Sequence, residues 1–155
     1  MQKVTTFLTF KDQAEEAVNF YVSLFNNSKI TNIVRSEGGP VPKGALLHAT
    51  FQLDGQEFMA MEGGPYFSFA QGFSLFVNCE TQEEIDKLWE KLSEGGEKQP
   101  CGWVKDRYGV SWQIVPSVLG KMMQDKDREK SKRVMEALLK MSKIDIKTLK
   151  QAYEQ

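Results

Sequence analysis

Apolar and polar positions alternate in the first residues of the chain and then follow a helical spacing. The alternation over residues 4–10, rich in β-branched and aromatic side chains, predicts a strand. Asp12 and Glu15 have the spacing of a capping box and predict the start of a helix. The helix itself is predicted from apolar residues that recur every three or four positions: Ala14, Ala17, Val18, Tyr21, Leu24 and Phe25.

Three strands are predicted after this helix, at residues 29–35, 46–53 and 56–61. Asp54 and Gly55 stand between the last two strands. This dipeptide is a strong hairpin signal, because both residues of the tight turn must adopt positive φ. The first half of the chain is therefore predicted to form a strand, a helix and three further strands.

The second half begins with the same succession of patterns. Residues 72–78 predict a strand, Thr81 and Glu84 a second capping box, and Gly95-Gly96 the end of a helix. Residues 99–106 and 110–115 predict the two arms of a hairpin. The apolar stripe of the second helix consists of Ile85, Leu88, Trp89 and Leu92.

The shared order of elements indicates an internal duplication. Phe7-Leu8-Thr9-Phe10 of the first strand is matched to Phe73-Ser74-Leu75-Phe76 of the fifth. One half is too small to bury its sheet, whereas two halves that share a concave surface can do so. We predict an α+β fold over residues 1–116, with two βαβββ modules at about 4–62 and 72–116. Helices would cover one face of the cupped mixed sheets, and the other face would curve round a cavity.

A helical extension is predicted after Pro116, over residues 117–155. Residues 117–123 predict a short apolar turn or helix, residues 127–141 predict a longer charged helix, and Asp145 caps a last helix. A charged helix with one apolar side packs on its own domain or serves as an arm that binds a partner or braces a dimer. Both roles are compatible with this pattern.

Composition narrows the class of protein. The 155 residues are 41% hydrophobic and 26% charged, as in ordinary globular domains, and the net charge of −1 gives no electrostatic case for nucleic acid. No apolar run approaches the roughly 18 residues that span a membrane, and the N-terminus lacks the apolar core of a signal peptide. Cys79 and Cys101 lack CxxC spacing, so a reducing cytoplasm without disulfides is expected.

The candidate binding residues centre on the predicted strand 110–115. Its alternate residues share faces, so Ser111, Gln113 and Val115 point to one side. A buried unpaired amide costs about 1–3 kcal/mol, and we interpret the Gln113 face as the floor of a pocket. Further candidate lining residues are His48, Trp103, Phe73, Phe7 and Met59. For His48 and Gln113, a purely structural hydrogen bond is the alternative interpretation.

Five stretches of the chain carry a family resemblance. They are Ala14-Glu15-Glu16-Ala17, His48-Ala49-Thr50-Phe51, the segment from Asn78 to Glu84, the segment from Cys101 to Pro116, and the tail from Lys140 to Ile146. Together they resemble the PhnB-like branch of the vicinal oxygen chelate superfamily, which includes glyoxalases, bleomycin resistance proteins and extradiol dioxygenases. The similarity runs over essentially the whole chain. It implies a homodimer with a small-molecule cavity in each cupped sheet.

The resemblance also implies where a metal would bind. Metal-dependent relatives resemble one another in an Asp-Pro-Asp-Gly turn, with a glutamate seven residues after its first aspartate. Here the turn begins at Asp106 and that offset is occupied by Gln113, whose neutral amide is a poorer ligand than a carboxylate. The only histidine is His48, and a non-standard set would combine it with Glu57 or Glu62. We therefore expect no metal and no cofactor.

This branch is commonly described as demethylubiquinone methyltransferase-like, a function that requires a site for S-adenosylmethionine. Such sites usually have a glycine-rich turn that opens a helix after a strand. The glycine pairs 38–39, 63–64 and 95–96 fall in predicted loops instead. We predict a small-molecule-binding protein without the usual metal site. The alternatives are an enzyme, either a metal-assisted lyase or isomerase or the methyltransferase, and a resistance protein that sequesters a drug.

Overall fold

Eight strands lie in two four-stranded sheets in the computed structural model, which describes residues 2–155. The chain divides into two units, one ending at Ser68 and the other beginning at Phe69. The elements of the first unit are β1 (Thr6–Phe10), α1 (Ala14–Leu24), β2 (Lys29–Arg35), β3 (Leu46–Leu53) and β4 (Gln56–Glu62). Those of the second are β5 (Ser74–Cys79), α2 (Gln82–Ser93), β6 (Glu97–Lys98), β7 (Trp103–Lys105), β8 (Ser111–Pro116), α3 (Ser117–Met123), α4 (Arg128–Leu138) and α5 (Ile146–Glu154).

The two sheets have the same topology. The strand order is β1-β4-β3-β2 in the first and β5-β8-β7-β6 in the second. In each sheet the first strand pairs in parallel with the last, and the remaining pairs are antiparallel. The predicted α+β fold with duplicated βαβββ modules and C-terminal helices is confirmed.

The duplication is confirmed, but the residue match within the first strands is off by one. The sequence match placed Phe10 opposite Phe76, yet Phe10 is 2% exposed and Phe76 is 53% exposed. Leu75 pairs with a buried residue of β8, so Leu75 is the counterpart of buried Leu8. Side chains alternate between faces along a strand, and a shift of one residue therefore exchanges the buried face for the exposed one.

The β3–β4 hairpin forms as its turn residues predict. Asp54 and Gly55 have φ values of 50° and 80°, the left-handed values that a two-residue turn needs. Behind it, α1 covers one face of the first sheet with its buried residues. These are Ala14, Ala17, Val18 and Tyr21, all predicted from the helical stripe.

The predicted capping box at the start of α1 is wrong. The N-cap residue is Gln13, and it makes no capping hydrogen bond with its side chain. Glu62, at the end of β4, takes this role instead: its Oε1 accepts a hydrogen bond from the backbone N–H of Ala14 at 2.8 Å. The parallel pairing of β1 with β4 brings Glu62 beside the end of β1, just before the helix begins. Local spacing could not predict a cap from 48 residues away.

The Thr81 half of the predicted capping box of α2 is present, and Glu84 reaches back one residue further than the N-cap. Thr81 Oγ1 accepts a hydrogen bond from the backbone N–H of Glu84, and Glu84 Oε2 accepts one from the N–H of Glu80. The predicted apolar stripe is buried against the sheet: Ile85, Leu88, Trp89 and Leu92. The sheet side of this core includes Trp112, which is 2% exposed and contributes about 1.5–3 kcal/mol by its burial.

The predicted hairpin arm over residues 99–106 is shorter in the structure. A turn of 3₁₀ helix at Pro100–Gly102 separates the two-residue strand β6 from β7. Proline lacks a backbone N–H for the ladder, and Cys101 has a left-handed φ of 62°. The arm therefore breaks before Trp103.

The C-terminal extension packs on the second unit. Its buried residues and the end of β8 form one apolar cluster, with Val115, Leu119, Met122, Val134, Ile144 and Leu149 at its centre. Asp145 caps α5 as predicted, by accepting from the N–H of Thr148. α4 begins after its N-cap Asp127 and ends at Leu138, before the predicted end at Met141, because the chain tightens into i→i+3 hydrogen bonds there.

Among residues 2–155, no helix combines the length and the apolar character that crossing a bilayer requires.

Candidate ligand-binding faces of the two sheets

The face of the second sheet opposite α2, here called its open face, carries an amide between two aromatic side chains. Gln113 of β8 pairs with Phe76 of β5 on one side and with Trp103 of β7 on the other. Residues paired in register point to the same face, so the three side chains form one row across the sheet. Phe76 is 53% exposed, and Gln113 and Trp103 are partly exposed. Phe73, which directly precedes β5, is 52% exposed.

Gln113 makes a structural hydrogen bond, which the sequence analysis considered, to a partner that it did not identify. Its Nε2 donates to Ser74 Oγ at 3.0 Å. Ser74 and Gln113 lie on neighbouring parallel strands and share the open face. The alternation of side chains along β5 is the sequence signal that could have indicated this partner, because it places Ser74 and Phe76 on the same face of the strand. The side-chain carbonyl of Gln113 is left as a hydrogen-bond acceptor on the open face.

Asp106 fixes the turn that precedes β8. Its Oδ1 accepts from the backbone N–H groups of Tyr108 and Val110 at 2.9 and 3.0 Å, and its Oδ2 accepts from the indole N–H of Trp112 at 2.9 Å. Asp106 is 3% exposed, so all of this takes place away from solvent. The hydrogen bond to Asp106 holds the Trp112 side chain on the buried face of the sheet. Since successive side chains of a strand point to opposite faces, the next residue, Gln113, points to the open face.

The open face of the first sheet carries Phe7, Met59 and His48. Phe7 pairs with Met59, and Met59 pairs with Thr50, so these three side chains form a row. The Phe7 and His48 rings lie 5.9 Å apart between centroids and are tilted by 46°. Phe7 is 44% exposed, and Met59 and His48 are partly exposed. The structure thus brings Gln113 and Trp103 together in the second unit, and Phe7, Met59 and His48 in the first. Phe73 precedes β5 and alternates with Ser74, so the strand pairing does not place it in the row.

A depression of about 640 Å³ lies on the first sheet beside this row. Its lining is more polar than the sequence predicted, with Gln2, Thr5, Thr50, Gln52, Glu57 and Met59. Gln2 closes one side, since its Nε2 donates to Glu57 O at 3.0 Å and its Oε1 accepts from Glu57 N at 3.2 Å. An amide-bearing residue outside any predicted element gave no sequence signal for this pairing.

The non-standard metal sets considered from the sequence do not assemble. Glu62 pairs with Phe10 on the face that α1 covers, whereas His48 pairs with Met61 on the open face. Glu57 shares the open face with His48 but lies four positions along β4 from the partner of His48. Within residues 2–155, no group of three His, Cys, Asp or Glu side chains is placed to hold a metal ion.

Glu62 has a different role, and its electrostatics reflect it. Burial raises the pKa of the Glu62 carboxyl, and the nearby carboxylates of Asp12 and Glu15 raise it further. The backbone N–H groups at the start of α1 oppose this rise. Glu62 Oε2 is buried without a hydrogen-bond partner. The residue is therefore a helix cap whose ionised form is disfavoured.

Cys79 is not suited to nucleophilic chemistry. It is fully buried, and burial, together with the neighbouring carboxylate of Glu84, raises the pKa of the thiol to about 12. The thiolate is the nucleophilic form, and at neutral pH this thiol stays protonated.

The three glycine pairs do not form the turn that would bind S-adenosylmethionine. The pair 38–39 follows β2, the pair 63–64 follows β4 and the pair 95–96 follows α2, and none of them opens a helix.

The fold defines the class of protein. The chain is similar in fold to protein PA1353 from Pseudomonas aeruginosa, with a TM-score of 0.62, 24% identity, and coverage of 74% of this chain and 96% of that chain. It is also similar to the fosfomycin resistance protein FosX from Listeria monocytogenes, determined with Mn(II) and sulfate, with a TM-score of 0.53, 19% identity, and coverage of 72% and 90%. The duplicated βαβββ sheets thus have the glyoxalase-like fold of vicinal oxygen chelate proteins.

Sequence similarity then identifies the family. The family model for 3-demethylubiquinone-9 3-methyltransferase matches residues 2–115. A PhnB protein from Bacillus cereus, described as a 3-demethylubiquinone-9 3-methyltransferase, is 46% identical, with a TM-score of 0.71 and coverage of 75% of this chain and 100% of that chain. No curated protein matches significantly. The chain belongs to the PhnB-like 3-demethylubiquinone-9 3-methyltransferase family, as its motifs predicted.

Proposed function

We propose that the protein binds a small molecule with an aromatic ring and a polar ring substituent on the open face of the second sheet. The observation that carries this proposal is the row of Phe76, Gln113 and Trp103, an amide set between two partly exposed aromatic side chains. Aromatic rings stack favourably on one another, and a fixed amide orients a polar substituent.

Gln113 would supply the orientation. One of its two Nε2 hydrogens is engaged by Ser74, which fixes the amide and leaves its carbonyl oxygen and second N–H to meet a ligand. A carbonyl accepts hydrogen bonds, and the matching substituent is a hydroxyl group. The family description supports a ligand of this kind, since a demethylated ubiquinone carries a ring hydroxyl. In this proposal, binding uses no metal ion or cofactor.

The open face of the first sheet is a second candidate surface of the same kind. Phe7 and Met59 would provide apolar contact there, and His48 a group that can donate or accept a hydrogen bond.

We propose further that the protein is a cytoplasmic homodimer. Exposed large apolar side chains on both units support an assembly that covers them.

Isothermal titration calorimetry with a water-soluble demethylubiquinol analogue that lacks the isoprenoid tail tests the binding proposal. Gln113→Leu should weaken binding by up to about tenfold, since one hydrogen bond is worth about 0.5–1.5 kcal/mol. Trp103→Ala should weaken it by about tenfold or more, through lost stacking. Gln151→Leu, at an exposed position of α5, is the control and should bind as the wild type does. Equal affinity in all four proteins would overturn the proposal.

A methyltransferase is the second candidate, favoured by the family match over residues 2–115. It would transfer the methyl group of S-adenosylmethionine to the ring oxygen, releasing a proton and S-adenosylhomocysteine. The same calorimetry with S-adenosylmethionine present separates the two functions. Our proposal expects no methylated product and no change in affinity. Stoichiometric S-adenosylhomocysteine together with methylated analogue would establish the enzyme instead.

A further inference from the structure

The C-terminal extension meets the second sheet at the start of β7. The backbone N–H groups of Cys101 and Gly102 donate to the carbonyl oxygens of Met141 and Ser142, at 2.9 and 2.8 Å. These donors directly precede Trp103, the aromatic residue beside Gln113. The residue that enters the candidate binding face is thus anchored to the segment that joins α4 to α5.

The backbone at this contact is held in a conformation that needs support. Cys101 has φ 62° and ψ 33°, and Gly102 has φ 83°. Left-handed backbone is unfavourable for a residue with a Cβ atom and persists where the surroundings fix it. Two successive N–H groups in this conformation form a concave donor pair, and the extension supplies an acceptor for each.

Ile144 packs directly on the same turn. It is fully buried, and its Cδ1 lies 2.7 Å from the position that a Cβ atom on Gly102 would occupy. The carbonyl oxygen of Ile114 lies 2.9 Å from that position. A side chain at residue 102 would therefore separate the extension from β8, and glycine allows the close approach.

Helix α2 holds the segment from the other side. Gln82 Nε2 donates to the carbonyl oxygen of Ile144 at 3.0 Å, and Gln82 Oε1 accepts from the N–H of Ile146 at 2.8 Å. The Lys143 ammonium lies 3.0 Å from the Asp86 carboxylate. Residues 141–146 are thus fixed between α2 and the turn before β7.

We infer that residues 141–146 are a positioning element for Trp103, and its consequence for ligand binding rests on the proposed function. The Bacillus cereus PhnB protein is covered over 100% of its length by 75% of this chain, and the family match ends at residue 115. The tail from Lys140 to Ile146 resembles the family in sequence, yet it lies outside the residues that the family model matches. The segment thus sets the placement of one candidate ligand contact from outside the matched residues.

Gln82→Leu tests the inference, because it removes both hydrogen bonds to the segment and keeps a side chain of similar size. Amide hydrogen exchange of Cys101 and Gly102, followed by NMR, should become about tenfold faster or more. Acrylamide quenching of tryptophan fluorescence should increase as well. Trp89 and Trp112 are 5% and 2% exposed, so the accessible signal comes mainly from Trp103. Gln151→Leu is the matched control and should leave both readouts unchanged.

Ile144→Val provides a second route, since it removes only the methyl group that meets Gly102. It should move the same two readouts in the same direction even if Gln82→Leu does not fold. Exchange and quenching at wild-type values in the folded variants would overturn the positioning role. Neither readout needs a ligand, so failure of the wild type to bind the demethylubiquinol analogue would overturn only the proposed function. If the analogue does bind, its affinity should fall in Gln82→Leu and stay unchanged in Gln151→Leu.

Discussion

Glu62 shows how the role of a residue depends on the face of its strand. From sequence it was one of two carboxylates that could complete a metal set with His48. In the structure it lies on the face that α1 covers, where it accepts a hydrogen bond from the N–H of Ala14. The free N–H groups and the dipole of a helix N-terminus favour an acceptor oxygen there. Glu57, on the opposite face of β4, has no such role.

The raised pKa of Glu62 predicts a specific pH dependence of stability. A group whose folded pKa lies above its unfolded value favours the folded state below the unfolded pKa, and this contribution is lost as the pH rises through the folded pKa. Relative to the wild type, Glu62→Gln should therefore gain in free energy of unfolding as the pH increases from about 4 through this window. Urea unfolding of both proteins between pH 4 and 7 measures the difference.

A constant difference across that range, or one that falls with pH, would contradict this account of Glu62. Glu62→Ala separates the cap from the charge. It removes the acceptor altogether and should lower the free energy of unfolding by about 1 kcal/mol at pH 4, as loss of a cap does. At neutral pH the loss should be smaller, because removal of the ionised carboxyl offsets part of it.

At the scale of the elements, periodicity predicted most of the fold. The stripes of α1 and α2, the Asp54-Gly55 hairpin and the helices α4 and α5 were predicted because their signals lie within a few residues of each other. The cap of α1 was missed because its acceptor comes from another strand. The break at Pro100 was missed because the left-handed turn behind it is supported by the distant extension. Residues distant in sequence supplied the physical causes in both cases.

The candidate site was predictable in part for the same reason. Period two placed Gln113 and Trp112 on opposite faces of β8, and the structure has one partly exposed and the other buried. The partner of Gln113, Ser74, depended on how β5 pairs with β8, a register that no sequence pattern predicted. Asp106 holds the turn before β8 partly through a hydrogen bond from the Trp112 indole, and no local sequence pattern predicts that bond.

The β7–β8 hairpin should depend on the Asp106–Trp112 hydrogen bond. Asp106→Asn leaves one side-chain acceptor oxygen for three N–H groups, and an unsatisfied buried donor costs about 1–3 kcal/mol. We expect the free energy of unfolding to fall by about 2 kcal/mol, as measured by urea unfolding. In a Trp112→Phe background the same substitution should have a clearly smaller effect, because the indole donor is absent. Equal effects in both backgrounds would contradict the role given to this bond.

For the whole molecule, the exposed apolar residues bear on assembly. Large apolar side chains away from the two candidate binding rows are also exposed: Tyr66 by 94%, Phe67 by 50% and Leu139 by 64%. We propose that the homodimer covers side chains of this group and leaves the binding rows open. We expect sedimentation equilibrium to give twice the chain mass of 17.7 kDa. A monomer at micromolar concentration would contradict the proposed homodimer and leave the ligand proposal to be judged separately.

The most direct test of the central claim is a crystal structure of the protein with the tail-free demethylubiquinol analogue. We predict that the ring stacks against Trp103 or Phe76, with its hydroxyl group about 2.5–3.0 Å from the side-chain carbonyl oxygen of Gln113. An analogue bound elsewhere, or bound without any contact to Gln113, would contradict the assignment of the second sheet's open face as the ligand-binding surface.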